Sequence, residues 1–169
     1  MIALRNERPE DGPALHALTD AAFKGKAFAD GTEGAIIGKL REAGDLTLSL
    51  VAEDEVAGPA PLGHVALSPA SIAGEAGWLG RGPSSVTPDR QKQGIGTALM
   101  EAAITFARDA GAKGLVLLGD PGYYGRFGFI ADTELSFLEV SRAYVQVLSF
   151  SDTRPTGEIT FAPALQEAG

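Results

Sequence analysis

Cysteine is absent from the 169 residues, and histidine is nearly so, with only His16 and His64. Without thiols there is no disulfide, no cysteinyl acyl-enzyme and no thiolate zinc site, and two isolated imidazoles argue against clustered ligation, so no metal is expected. Positive charge is also short: 14 Lys and Arg stand against 22 Asp and Glu, a net charge of −8. Such a surface repels phosphate backbones and anionic headgroups, so neither nucleic acid nor membrane is expected as a partner. A polyanionic ligand would have to be held locally, by backbone amides and a few placed cations. Long apolar runs are missing too. No stretch approaches the roughly 18 uninterrupted apolar residues of a membrane helix, and the opening MIALRNER leads into no apolar h-region. A soluble, cytoplasmic protein is expected.

What is present suits a single domain over residues 1–169, since 44% of the residues are hydrophobic and 21% charged. Residues 2–5 read as a strand. Pro9-Glu10-Asp11 then opens a helical pattern with Leu15, Leu18, Ala22 and Phe23 on one face. Residues 24–32 lack a period and predict a mobile loop before a second helix at 33–43, closed by Gly44. The β-type runs 47–52 and 61–67 pair as an antiparallel hairpin, and a further strand ends at Val86. Ile95, Leu99, Ala102, Ala103 and Phe106 recur at helical spacing up to Gly111, and 115–118 is an apolar tetrapeptide suited to a strand buried on both faces. The pattern is a mixed α/β fold with one strong β-α-β unit at 82–118. Residues 135–140, 144–150 and 158–161 are candidate strands, although Pro155 and Gly157 equally allow a loosely attached tail over the C-terminal stretch 136–169.

The chemistry concentrates where the strand ending at Val86 leads through Gln91-Lys92-Gln93-Gly94-Ile95-Gly96-Thr97 into a helix. The first amides of a helix have no intrahelical acceptor, and the two glycines let a ligand approach the backbone, which makes an anion cradle. Two glycines alone are also compatible with a turn that merely packs the helix closely. Leu99 occupies the place of the third glycine of a dinucleotide fingerprint, and the Lys-Ser/Thr pair of a P-loop is missing, so nucleotide folds fit poorly.

Gln91 to Gly96 resembles the Q/R-x-x-G-x-G/A signature of the GNAT N-acetyltransferases, and Gly119-Asp-Pro-Gly-Tyr-Tyr-Gly-Arg-Phe-Gly-Phe129 resembles the family's Y-x-x-x-G-F segment. The second form is similar to the YhbS-like branch. The resemblance is specific over residues 82–129. Lys92 stands where relatives often carry glycine. What the resemblance implies is a GNAT fold with a mixed, mostly antiparallel sheet flanked by helices, using acetyl-CoA as co-substrate. Val86 would then bind the pantetheine arm through its backbone. The amides of Gln91, Lys92, Gln93, Gly94, Ile95, Gly96 and Thr97 would hold the pyrophosphate, and Tyr124 would face the thioester sulfur as the catalytic residue. Tyr123, Phe127 and Phe129 are read as packing residues.

In that reading an acetyl group passes directly to a primary amine of a small molecule within a ternary complex. A non-catalytic acyl-CoA-binding module is the rival, because Ser84-Ser85 stands where many relatives carry a glutamate base. An enzyme acting on charged tRNA is disfavoured by the net charge. The base is left open between Glu33, His64 and a water relay. For Glu33 a helix N-terminal role is equally good, and His64 in Gly-His-Val reads as a half-buried strand position. Arg126 reads as a surface cation or a partner for Asp120. Monomer and homodimer are both compatible with the sequence.

Overall fold

A computed structural model describes residues 1–26, 32–131 and 134–168. The chain opens with β1 (Ile2–Asn6), α1 (Gly12–Phe23) and α2 (Glu33–Glu42), followed by β2 (Leu48–Asp54), β3 (Gly58–Ile72) and β4 (Glu75–Val86). Next come α3 (Ile95–Asp109), β5 (Gly114–Leu118) and the single turn α4 (Pro121–Tyr124). The remainder holds β6 (Ile130–Ala131), β7 (Leu135–Ser136), β8 (Val145–Ser149), β9 (Gly157–Thr160) and α5 (Pro163–Ala168). Of the loop expected at 24–32, positions 27–31 lie outside the described residues.

The helices form where the apolar period is clearest. Pro13 sits in the first turn of α1, where a missing N–H costs nothing, and Leu15 and Leu18 are buried below it. Ile36, Ile37 and Leu40 form the buried stripe of α2. The two helices approach closely at Gly34, whose amide donates to Asp20 Oδ1 at 2.9 Å. A Cβ there would lie 2.6 Å from the His16 carbonyl oxygen.

The main sheet runs in the order β1-β2-β3-β4-β5-β8-β6. Its neighbours are antiparallel except β4 and β5, which are joined by α3 in the expected β-α-β unit. α3 buries Leu99, Met100, Ala103 and Ala107 on one face of the sheet, against Val65, Leu67, Leu115 and Leu117. Leu15, Leu18 and Ile37 cover Val51 on the other face. Each such fully buried leucine contributes about 2 kcal/mol of transfer free energy.

The parallel register is short. Trp78 pairs with Gly114, Leu79 with Leu115 and Gly80 with Val116, and there it stops. β4 continues to Val86 with β3 still paired on its other side, up to Gly63 opposite Val86. Beyond Gly80 the sheet is therefore split, with a free edge of β4 facing away from β3.

The C-terminal part departs from expectation at one point. A strand over 135–140 is replaced by the two residues of β7, because Phe137 turns into the core and Leu138 adopts φ 46°, which no extended run accommodates. The segment after Gly157 is not loose. Ile159 pairs with Ile72 of β3, and Ile159, Phe161 and Ala162 are buried. The Phe161 ring stands edge-on to Phe137, 4.9 Å between centroids, in space that a side chain at Gly80 would fill, since a Cβ there would lie 2.6 Å from it. Phe161→Ala should lower the unfolding free energy in urea by about 3–5 kcal/mol. A loss below about 1 kcal/mol, within the scatter of ordinary surface changes, would show that this segment adds nothing to the core.

Candidate functional site

The free edge of β4 leads through a 3-10 turn (Pro88–Arg90) into a tight loop in which Lys92 has φ 65° and Gly94 φ 86°. The left-handed conformation costs a lysine roughly 1 kcal/mol and glycine nothing. α3 begins without a side-chain cap. Its first intrahelical bond runs from the Ala98 amide to the Gly94 carbonyl, so the amides of Ile95, Gly96 and Thr97 lack helical acceptors. A Cβ on Gly96 would lie 3.5 Å from the Tyr123 hydroxyl and 3.7 Å from a Val86 methyl, so both walls of the cleft come close to this amide row.

The opposite wall is α4. Asp120 caps it by accepting from the Gly122 amide at 2.9 Å, and Gly119 leaves room for the Tyr124 ring, which a Cβ would meet at 2.4 Å. Tyr123 and Tyr124 stand edge to face at 4.8 Å, and Tyr124 rests on Phe129 at 6.1 Å. Between the walls lies a cleft of about 760 Å³, floored by Ser84, Ser85 and Val86.

Val86, Gln91, Lys92, Gly94, Ile95, Gly96, Thr97 and Tyr124 all line this one cleft. Gln93 stands apart, its amide oxygen accepting from Arg90 Nε at 3.0 Å. The Val86 carbonyl already accepts from the Gln91 side chain, also at 3.0 Å. Tyr123 was expected only to pack, yet it lines the cleft beside Gly96. In a one-turn helix two adjacent rings can face the same opening, and spacing alone cannot separate them. Arg126 pairs with Tyr123 and not with Asp120: its Nε donates to the Tyr123 carbonyl at 3.0 Å and its guanidinium stacks 4.4 Å from that ring. Lys26, Arg90, Lys92 and Arg126 contribute four cations to the described lining, which includes no carboxylate, and of these Arg90 is paired with Asp54 at 3.3 Å.

Both the sequence and the shape of this region have close counterparts. A family model described as an acetyltransferase (GNAT) domain matches residues 45–131. The uncharacterized N-acetyltransferase YhbS of Escherichia coli K12 is 36% identical over 129 residues, covering 76% of this chain and 73% of that protein. The chain belongs to the GNAT acetyltransferase family. Among solved structures, a GNAT family acetyltransferase from Brucella melitensis in complex with acetyl-CoA is 43% identical, with a TM-score of 0.85 over 98% of both chains. The Escherichia coli YhbS structure in complex with CoA is 30% identical and superposes with a TM-score of 0.87 over 97% of this chain and 91% of that one. The split between β4 and β5, with a glycine-rich helix start beside it, is thus part of a GNAT fold.

The two side chains considered as bases, Glu33 and His64, lie elsewhere than on the described cleft lining of this GNAT domain. Glu33 begins α2 and is not among the lining residues. His64 on β3 is fully buried, not half-buried as its strand pattern suggests, because α1 and α2 cover that face. Its Nε2 is 2.7 Å from the Ser49 hydroxyl, which in turn is 3.0 Å from Glu7 Oε1. Burial opposes ionisation of Glu7, but the hydrogen bonds from Arg41 and Ser49 outweigh it and hold the carboxyl below its usual range. An ionised Glu7 can only accept, so Ser49 donates to it and receives from His64 Nε2–H, leaving Nδ1 as a bare acceptor without a partner. Opposite His64 on β4, Ser85 shares a hydrogen bond of 3.3 Å with Thr19 of α1, tying the cleft floor to that helix.

Burial pushes the His64 imidazole down to about 4. The unfolded chain therefore takes up a proton near pH 6.5 that the folded state refuses until about pH 4. The contribution of His64 to stability is full above pH 6.5 and is lost as the pH drops through that window, by up to about 3 kcal/mol. Urea unfolding of the parent and of His64→Gln at pH 7 and pH 4.5 measures this. The variant should lose clearly less stability between the two values, and equal losses would show that His64 does not govern the window.

Proposed function

We propose that this chain transfers an acetyl group from acetyl-CoA to the primary amine of a small molecule, directly and within a ternary complex. One observation supports the reading above the rest: the uncapped amides that open α3 line the same cleft as Tyr124, beside the free edge of β4, in a chain whose relatives crystallise with acetyl-CoA and CoA. The residues fit that group. Open space beside Gly94, the amides of residues 95–97 and four cations suit a diphosphate, and the free strand edge offers peptide groups to an amide-bearing arm.

Bound acetyl-CoA would supply an activated acyl thioester. Val86 and the rest of the β4 edge would orient it, and Gln91, Lys92, Gly94, Ile95, Gly96 and Thr97 would hold its phosphates. The Gln93 amide belongs to the same loop, while its side chain serves Arg90. Tyr124 would donate a hydrogen bond that strengthens as negative charge reaches sulfur. A phenol is in general a weaker acid than a thiol, so stabilisation, not complete transfer, is the expected role.

His64 does not serve as the base in this reading. An imidazole that titrates at about 4 accepts a proton from an ordinary ammonium at a cost of roughly 9 kcal/mol. The amine would instead enter neutral, or lose its proton to water at Ser84 and Ser85 on the cleft floor. The rate should then rise with pH along the ionisation of the acceptor itself.

Mass spectrometry of the protein incubated with acetyl-CoA and pooled amines identifies the acceptor by an acetyl-sized gain. With that acceptor, Tyr124→Phe should lower kcat by about 10²–10⁴ while CoA affinity stays near parental, and Tyr123→Phe should keep most of its turnover. Unchanged turnover in Tyr124→Phe, or the larger loss in Tyr123→Phe, would remove Tyr124 from the reaction.

A further inference from the structure

Arg81 lies one residue beyond the last β4–β5 pair, where the sheet divides. Its Nη2 reaches across the split to the Leu118 carbonyl of β5 at 2.9 Å, and its guanidinium lies 5.0 Å from the centroid of the Tyr124 ring. Nη2 also approaches Gly119, where a Cβ would stand 3.4 Å from it and closer still to Tyr124. The remaining features are costly ones. Nε is buried without a hydrogen-bond partner, and among the described residues no carboxylate pairs with this cation, in a chain with 22 acidic side chains. A purely structural strut across the split would need one neutral donor. A guanidinium with an unspent N–H, set against a cleft-lining phenol, is suited to meeting negative charge.

We infer that Arg81 is a positioning residue for the departure of the thiolate: fixed at the fork under Tyr124, it holds that phenol against the cleft and supplies positive charge where negative charge reaches sulfur. The inference rests on the reading of the cleft as an acetyl-CoA site. As the amine nitrogen bonds to the acetyl carbon, the carbon–sulfur bond breaks and its electron pair goes to sulfur; the proton that the nitrogen sheds passes to water and water protonates the sulfur, while the Tyr124 hydroxyl hydrogen-bonds to it, so that amide and free thiol are the products. A cation 5.0 Å from the Tyr124 ring centroid strengthens that phenol as a donor and favours the anion next to it. The other ionisable groups facing this region are Tyr123 of α4 and Arg126 just after it, and Lys26, Arg90 and Lys92 on the cleft wall. Asp120 accepts from the Gly122 amide.

Free CoA tests this without an acceptor, because its thiol ionises in an accessible range and acetyl-CoA has no such group. Dissociation constants of CoA and acetyl-CoA are measured by calorimetry from pH 6.5 to 9.5, and their ratio cancels titrations common to both complexes. An opposite charge within a few ångströms shifts an acid by one unit or more, so the CoA to acetyl-CoA ratio should fall by about tenfold across the range in the parent protein. In Arg81→Met the ratio should be flat, with acetyl-CoA still bound, and in Arg81→Lys, which keeps the charge, part of the fall should return. A flat ratio in the parent, or an undiminished fall in a folded Arg81→Met, overturns the role of Arg81 alone. A parent protein that binds neither ligand overturns the acetyl-CoA reading and this inference with it.

Discussion

The cleft exists because two parallel strands part company after three pairs. Below Gly80 and Val116 the sheet is continuous, and above them β4 is paired to β3 only. A strand edge left without a partner must place its peptide groups against side chains, solvent or a ligand. Here two of the answers are internal. Gln91 covers the Val86 carbonyl, and Arg81 bridges the gap to the Leu118 carbonyl, so the opening has defined walls at both ends. α3 has to start beside that edge, because it is the crossover between the same two strands, and its uncapped amides face the space that β5 leaves. The free strand edge, the helix start and α4 at the end of β5 are consequences of one topological feature.

The electrostatics follow the same division between the whole and the site. A net charge of −8 sets a field that disfavours anions, whereas the cleft gathers four cations and no carboxylate among its described lining. The discrimination this permits is against large polyanions and in favour of one that can enter a narrow opening and reach the backbone. On the opposite face of the sheet the polar groups serve cohesion. Arg41, Glu7, Ser49 and His64 form a chain from α2 into the buried strands, and Thr19 fastens α1 to Ser85 at the cleft floor.

How far the sequence alone reached depended on whether a feature is local. The β-α-β unit and the amide loop are written in consecutive residues, through an apolar period, two glycines and a stop, and they stand in the structure at those positions. The short β7 and the anchored tail were harder to read, because Leu135, Ile159 and Phe161 are stabilised by pairing and packing with residues of β3 and β4 far away in sequence. His64 could not be recognised as fully buried from a Gly-His-Val strand pattern, since the two helices that cover it are not adjacent to it in the chain. Arg81 gave no signal at all. It looks like any strand residue until the register with β5 is known to end just before it.

The account depends most on the claim that the amides opening α3 are where the diphosphate of CoA is held. Gly96→Glu tests it directly, since a Cβ at that position meets nothing closer than 3.5 Å and the fold should survive, while the carboxylate would project into the cleft. Calorimetric titration of CoA into the parent protein should show saturable binding. In the variant, confirmed as folded by circular dichroism, binding should be at least about 100-fold weaker, equivalent to about 3 kcal/mol. A folded Gly96→Glu protein that binds CoA with parental affinity would contradict the account and place the cofactor elsewhere.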